Sequence, residues 1–495
     1  MFVQFAYRAT VFAAAAALLV VEIVAGRLLA PYVGMSLYTW TAIIGVMLAG
    51  LSLGNWLGGA WADRGAGERA AGVTLALAGL GVIGSLLLLT LLAPALMGRG
   101  LGLMAAASLY AAALFFLPAV CLGVITPLLT TLALRHSPHP GHVVGTMQAL
   151  AAVGSIAGTF ASGFWLVQSF GSRAVLTGTG LLLLVLGLPY LRLSRAWAGV
   201  VLAAAAGIGG LTWARGGFAS PCDRESAHFC IRVVDVSREA GYGEARAMVL
   251  DHLLHGINHR QRPDWLLSPY MELMFALAVR HLEAADRPSR PRVFFIGGGA
   301  YTLPRAFAAR WPGARLTVAE LDPLVTRVAQ EQLFLDPAGM EIVHGDARPV
   351  LEGRPPGSLD IVVGDAFQDV VVPPHLLTRE FARSVRRRLA PGGLYLLNVV
   401  DLWPRPRLAA SVAVTLAAEF PHVAAWAQDT PPVPARVTFV LAAAAGPVPE
   451  IPPGLEARGW QAVDLPRAAP ATVLDDDLAP VERLVSPLLL TEKGR

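Results

Sequence analysis

Arg292-Val293-Phe294-Phe295-Ile296-Gly297-Gly298-Gly299 decides how the second half of this 495-residue chain folds. Five residues, apolar after the first, have the pattern of a strand buried on both faces, and three glycines end it. A helix-like segment begins at Leu303. Strand, glycine turn and helix together make a nucleotide-binding loop. Glycine lets the backbone approach a ligand closely, and the helix N-terminus offers free N–H groups.

The stretches downstream give that loop its weight. A second strand over 315–319 ends in Glu320-Leu321-Asp322, and a third over 341–343 ends in His344-Gly345-Asp346-Ala347. A fourth over 359–363 ends in Gly364-Asp365-Ala366-Phe367, and a fifth over 394–398 follows Leu389-Ala390-Pro391-Gly392-Gly393. In an open α/β sheet, ligands bind at the C-terminal edge of the strands. An acid after the second strand is placed for ribose hydroxyls, and one after the third can accept from an adenine amino group. A single loop Asp is usually a cap or a turn residue; Gly and Asp at four successive strand ends predict one ligand pocket. Upstream, 227–260 read as short strands around the Gly241-Tyr242-Gly243 turn, and 268–282 reads as a helix.

Taken together, the glycine triplet, Glu320-x-Asp322, Gly345-Asp346-Ala347, Asp365 and Leu389-Ala390-Pro391-Gly392-Gly393 resemble the spermidine synthase (polyamine aminopropyltransferase) family. Leu250-Asp251 with His255-Gly256 is similar to the family's Leu-Asp-Gly segment, and Tyr270-Met271-Glu272 to its Tyr-x-Glu segment. The arrangement with apolar helices in front resembles the membrane-fused members. The resemblance implies a class I methyltransferase-type fold and a nucleoside co-substrate, decarboxylated S-adenosylmethionine, with intact S-adenosylmethionine and methyl transfer as the alternative. It implies that Gly297, Gly298 and Gly299 line the nucleoside, that Glu320 holds the ribose beside Asp322, and that Asp346 faces the adenine beside Ala347. Asp365 would be the base or amine-positioning carboxylate, and Tyr270 would orient the acceptor. Asp251, His255, Glu272 and Asp369 would lie on the side of a small amine or polyamine substrate, and no metal is implied. Two departures stand out: Ala300-Tyr301 replaces the family's Asp-Gly, and Ala366-Phe367-Gln368-Asp369 replaces a Ser/Thr-rich segment. A third reading is a transporter-like protein whose soluble domain binds polyamine or nucleoside without turnover.

The first half is of another kind. The chain is 55% hydrophobic and only 15% charged, against about 25% charge in a soluble globule. The scarcity is concentrated before Trp213. A span needs about 20 apolar residues, and seven candidates appear: 10–31, 38–61, 70–93, 102–134, 143–168, 174–191 and 196–214. The fourth holds Pro118 and Pro127 and is expected to be kinked or partly re-entrant. Gly154, Ser155 and Gly158 have helix-packing spacing. Glu22 and Arg27 lie inside the first span, where charge is expensive and functional by default. The loop Asp63-Arg64-Gly65 resembles the short Asp-Arg loop of major facilitator transporters, of which six spans would be half, and a homodimer would restore two halves. The sequence therefore predicts a polytopic all-α membrane bundle over 1–214. A linker with a small β/helix subdomain follows over 215–290, then a Rossmann-like domain over 291–450 and an extension over 451–495.

Charge and cysteines bound the partners. The net charge is +4, and Lys493 is the only lysine. Arg386-Arg387-Arg388 reads as a solvated helix end, so the expected partners are the lipid bilayer and a small amine, not nucleic acid. Arg8, Arg64, Arg69, Arg135, Arg192 and Arg195 fall on one side of the spans and Arg99 and Arg173 on the other, which predicts a cytoplasmic N-terminus. Cys222 and Cys230 could be disulfide-bonded or free, and the side of the C-terminal domain stays open at this stage.

Overall fold

The computed structural model describes residues 2–97, 102–191, 195–283, 290–367, 371–428, 430–431 and 433–491. The chain divides into two compact units, Met1–Cys230 and Ile231–Glu492.

The first unit is a helical bundle: α1 (Phe2–Val33), α2 (Leu37–Asp63), α3 (Glu68–Met97), α4 (Leu103–Leu134), α5 (Pro140–Phe170, with a π-helical turn at Ser162–Leu166), α6 (Ser172–Leu191) and α7 (Arg195–Ala214). Six of them, α1 to α6, are long and apolar enough to cross a membrane. Helix α7, Arg195–Ala214, has the length of α6 and rises ~30 Å, the thickness of a hydrocarbon core, so the seventh expected span stays open. A re-entrant fourth span is not found. Helix α4 runs unbroken from Leu103 to Leu134 through both prolines, and Pro118 lies against Gly81 of α3.

Small residues bring the helices together. A Cβ on Gly54 would stand 2.1 Å from the Val120 carbonyl oxygen of α4, and at Gly50 and Gly58 the closest atoms of α4 would be 2.8 and 2.6 Å away. Gly154 and Gly158 of α5 press on the carbonyls of Phe12 and Ala16 of α1 in the same way. Small residues let helix backbones approach this closely. Arg27 donates to the carbonyls of Ser226 and His228, Arg173 to the carbonyl of Gly217, and the Glu225 carboxylate accepts from Ser172. Residues 217–228 are thus fastened where α1 ends and α6 begins, at the end of the bundle opposite the N-terminus. A disulfide joins Cys222 to Cys230 there.

The second unit opens with an antiparallel meander, β1 (Cys230–Asp235), β2 (Ala245–Leu250) and β3 (Leu253–His259), then α8 (Pro269–Glu283). A strand–helix alternation follows: β4 (Arg292–Ile296), α9 (Thr302–Arg310), β5 (Arg315–Glu320), α10 (Pro323–Gln332), β6 (Met340–His344), α11 (Ala347–Glu352), β7 (Leu359–Gly364), α12 (Arg379–Arg388) and β8 (Leu389–Trp403). After α13 (Arg407–Ala417) come β9 (His422–Gln428), β10 (Ala435–Ala444) and the short β11 (Trp460–Ala462). The sheet order is β11-β9-β10-β8-β7-β4-β5-β6. Strands β8, β7, β4, β5 and β6 are parallel, and β10, β9 and β11 add antiparallel pairs. All of β7 and nearly all of β4 are buried on both faces, as a sheet covered by helices on both sides requires. From β4 the chain adds β5 and β6 on one side, then returns to place β7 on the other. The crevice between the C-terminal ends of β4 and β7 is therefore the topological switch point, where open α/β sheets bind ligands.

Candidate active site

The strand registers carry the site. Glu320 pairs with His344, Ile296 with Ala319 and Gly364, and Gly364 with Leu397. One residue further along each strand, His344, Glu320, Gly297, Asp365 and Asn398 form a single row across the sheet edge. At ~4.8 Å per strand the row is ~19 Å long, enough for a nucleoside with a second small molecule beside it.

The glycine loop is shaped from both sides. Gly297 has φ +89°, a region side chains avoid, and a Cβ there would stand 2.9 Å from the Asp365 carbonyl oxygen. Glu320, almost fully buried, accepts from the amides of Gly298 (2.8 Å) and Gly299 (3.3 Å) with one oxygen and from that of Asp322 (2.8 Å) with the other. Burial raises its pKa and these three amides pull it back. A carboxylate offers about four acceptor positions, so one remains for a ligand hydroxyl. The meander fixes the loop from behind. A Cβ on Gly256 would meet Thr302 Oγ1 at 2.5 Å, and Asn258 donates to the carbonyls of Ala300 (2.7 Å) and Leu333 (2.9 Å). His255 runs beside Gly299, and burial, with His252 and Arg436 nearby, lowers its pKa to about 4.

Across the switch point stands a carboxylate with two donors. The Tyr270 hydroxyl donates to Asp365 Oδ2 (3.2 Å), and Asn398 Nδ2 donates to Oδ1 (3.0 Å). Burial raises the Asp365 pKa to about 6, against the pull of both hydrogen bonds. A carboxyl poised there is a stronger base than an ordinary aspartate. The other amide atom, Asn398 Oδ1, is buried with no protein partner. Asn398 was not among the candidates from sequence. Its only signal was its position at the end of the fifth parallel strand.

The structure brings Gly297, Gly298, Gly299, Glu320, His255, Tyr270 and Asp365 together, and the other described candidates make contacts of their own. Glu272 faces a separate cavity, where Arg458 grips it with two hydrogen bonds (2.7 and 2.8 Å). Asp322 caps α10 through the Leu324 amide, and Asp346, ahead of Ala347, caps α11 through that of Arg348 and pairs with His375 (2.9 Å). Asp251 is buried at φ +53° in the turn between β2 and β3. Asp369 lies outside the described residues. Among the described residues no cluster of three or more His, Cys, Asp or Glu is placed to hold a metal.

The comparisons with known proteins point the same way. No family model matches the chain. The chain is similar to polyamine aminopropyltransferase 2 of Streptomyces coelicolor, at 30% identity over 386 residues, 72% of this chain and 66% of that protein. The stretch is longer than Ile231–Glu492, so the likeness extends into the helical unit. It is also similar to the polyamine aminopropyltransferase of Vibrio vulnificus, 32% over 114 residues, 22% of this chain and 38% of that one. The chain thus spans less than two thirds of each of these relatives. A solved structure, a probable spermidine synthase from Corynebacterium glutamicum, aligns with TM-score 0.45 at 24% identity, over 51% of this chain and 95% of that one.

Proposed function

We propose that the chain is a membrane-embedded aminopropyltransferase that moves the aminopropyl group of decarboxylated S-adenosylmethionine to an amine. The observation that carries this reading is Asp365 at the switch point, held by Tyr270 and Asn398 within one row of Glu320 and the glycine loop. The nucleoside lies along Glu320 and the glycines, with its sulfonium toward Asp365. The acceptor arrives as an ammonium ion, which is not nucleophilic. Asp365 takes one proton, the orphaned Asn398 oxygen accepts a remaining N–H, and the freed lone pair attacks the carbon next to sulfur. The C–S bond breaks and its electron pair returns to sulfur, leaving neutral methylthioadenosine and an aminopropylated amine. Positioning and proton removal are the whole of the catalysis required.

The helical unit supplies the membrane anchor, since α1 to α6 have the length and composition of spans. The arginine bias puts the N-terminus in the cytoplasm, α7 makes a seventh crossing, and residues 217–230 leave the bundle at the other end with a disulfide. Disulfides persist in oxidising compartments, so two independent signals agree on a non-cytoplasmic exit. A donor must then be available on that side. The test is Asp365→Asn in the full chain: transfer to an amine is lost while methylthioadenosine still binds. Retained transfer would remove Asp365 from the mechanism.

A further inference from the structure

Charge at membrane depth is costly and stays where something needs it. Helix α1 carries two such residues. Arg27 is accounted for by the carbonyls of Ser226 and His228. Glu22 is not: among the described residues no hydrogen bond or ion pair reaches its half-buried carboxylate.

Glu22 belongs to one stripe of α1, with Ala15 and Leu18 a turn or two before it and Gly26 a turn after. Ala15 and Leu18 line an open cavity of about 490 Å³ between α1, α2, α4 and α5, at which Asn55 and Gln148 are exposed. Gly26 packs on the Trp40 ring of α2, at 2.9 Å from where a Cβ would be. Glu22 lies on the same stripe, one turn of α1 beyond the residues that line the cavity. The other walls carry Asn55 of α2, Thr126 and Thr130 of α4, and Gln148 and Ser155 of α5, and no lining residue is ionisable. Neither Asn55 nor Gln148 hydrogen-bonds a protein group among the described residues. The cavity has the size of a small-molecule site. Six neutral hydrogen-bonding side chains, Thr131 among them, with one negative charge a turn further along α1, match a short organic cation and would reject an anion.

We propose that this cavity and Glu22 form a second small-molecule site, within the helical unit, for an aliphatic ammonium ion. The neutral side chains solvate the body of the ligand and the Glu22 carboxylate pairs with its charged nitrogen. The site does not depend on the transfer reaction of the second unit.

The test uses the full chain in phosphatidylcholine nanodiscs, with Asp365→Asn throughout so that the other amine site is disabled, and reads equilibrium binding of radiolabelled 1,4-diaminobutane. Saturable binding of one molecule per chain is expected. Glu22→Gln should weaken it at least tenfold, Gln148→Leu, which keeps the charge but alters the wall, should also weaken it, and 1,4-butanediol should not compete. No saturable binding by monodisperse protein, or binding unchanged by both substitutions, overturns the proposal. Glu22→Gln with Asp365 intact should keep any transfer activity, so failure of this site and failure of the transferase reading are read separately.

Discussion

Replacing Asp365 by Asn should stabilise the folded second unit at neutral pH while it destroys the site's chemistry. The carboxyl is raised from 3.8 to about 6 by burial. For an acid whose folded pKa is raised, ionisation opposes folding: the stability is fully present below the unfolded value and is lost as pH rises from about 4 through about 6. The full shift corresponds to ~3 kcal/mol above that window, and because Asp365 is partly exposed, screening leaves ~1–2 kcal/mol. Asn keeps both hydrogen bonds, since its oxygen accepts from Asn398 and its amide can donate to the Tyr270 oxygen. At pH 8 the variant should therefore unfold ~3–6 °C higher than wild type, and at pH 4 the difference should vanish. Thermal unfolding of the full chain in detergent at the two pH values reads this. A variant less stable at pH 8, or equally shifted at both, would refute the claim that a strained, desolvated carboxylate sits at the switch point.

Tyr270→Phe removes one of the two donors that hold the Asp365 pKa down, so the acid limb of the pH–rate profile should move up by ~0.7 unit for a hydrogen bond worth ~1 kcal/mol; kcat/KM for the amine across pH 5–9 checks it. Glu320→Ala frees the Gly298 and Gly299 amides and removes the ribose partner, and methylthioadenosine affinity measured by calorimetry should fall ~10–100-fold, a loss of ~1.4–2.8 kcal/mol. In intact cells, a membrane-impermeant phosphine added outside, after permeabilising any outer envelope, should make Cys222 and Cys230 reactive to maleimide; labelling without reductant would place the linker in a reducing compartment.

Strand ends were legible because a buried parallel strand is an unbroken apolar run, and here Gly or an acid follows four of them. Helix faces were harder. Tyr270 and Glu272 were read as one segment, yet residues two apart on a helix point to opposite sides. With Tyr270 on Asp365, Glu272 turns outward to Arg458. Asp322 and Asp346 stand where ligand acids would stand, but an Asp before a helix serves its N-terminus first, and both side chains do so. Asn398 escaped notice because a lone amide ending an apolar strand has no periodic or motif signal. In the helical unit, hydropathy located every segment, because an apolar run of helical length is read directly from composition. The resemblance to transporters still rests on the Asp63-Arg64 loop alone.

Product analysis of the purified full chain tests the central claim most directly. Given decarboxylated S-adenosylmethionine and a diamine, mass spectrometry should show methylthioadenosine and an aminopropylated amine in equal amounts, both absent with Asp365→Asn. Methylated product and S-adenosylhomocysteine from intact S-adenosylmethionine, or no turnover of either donor, would contradict it.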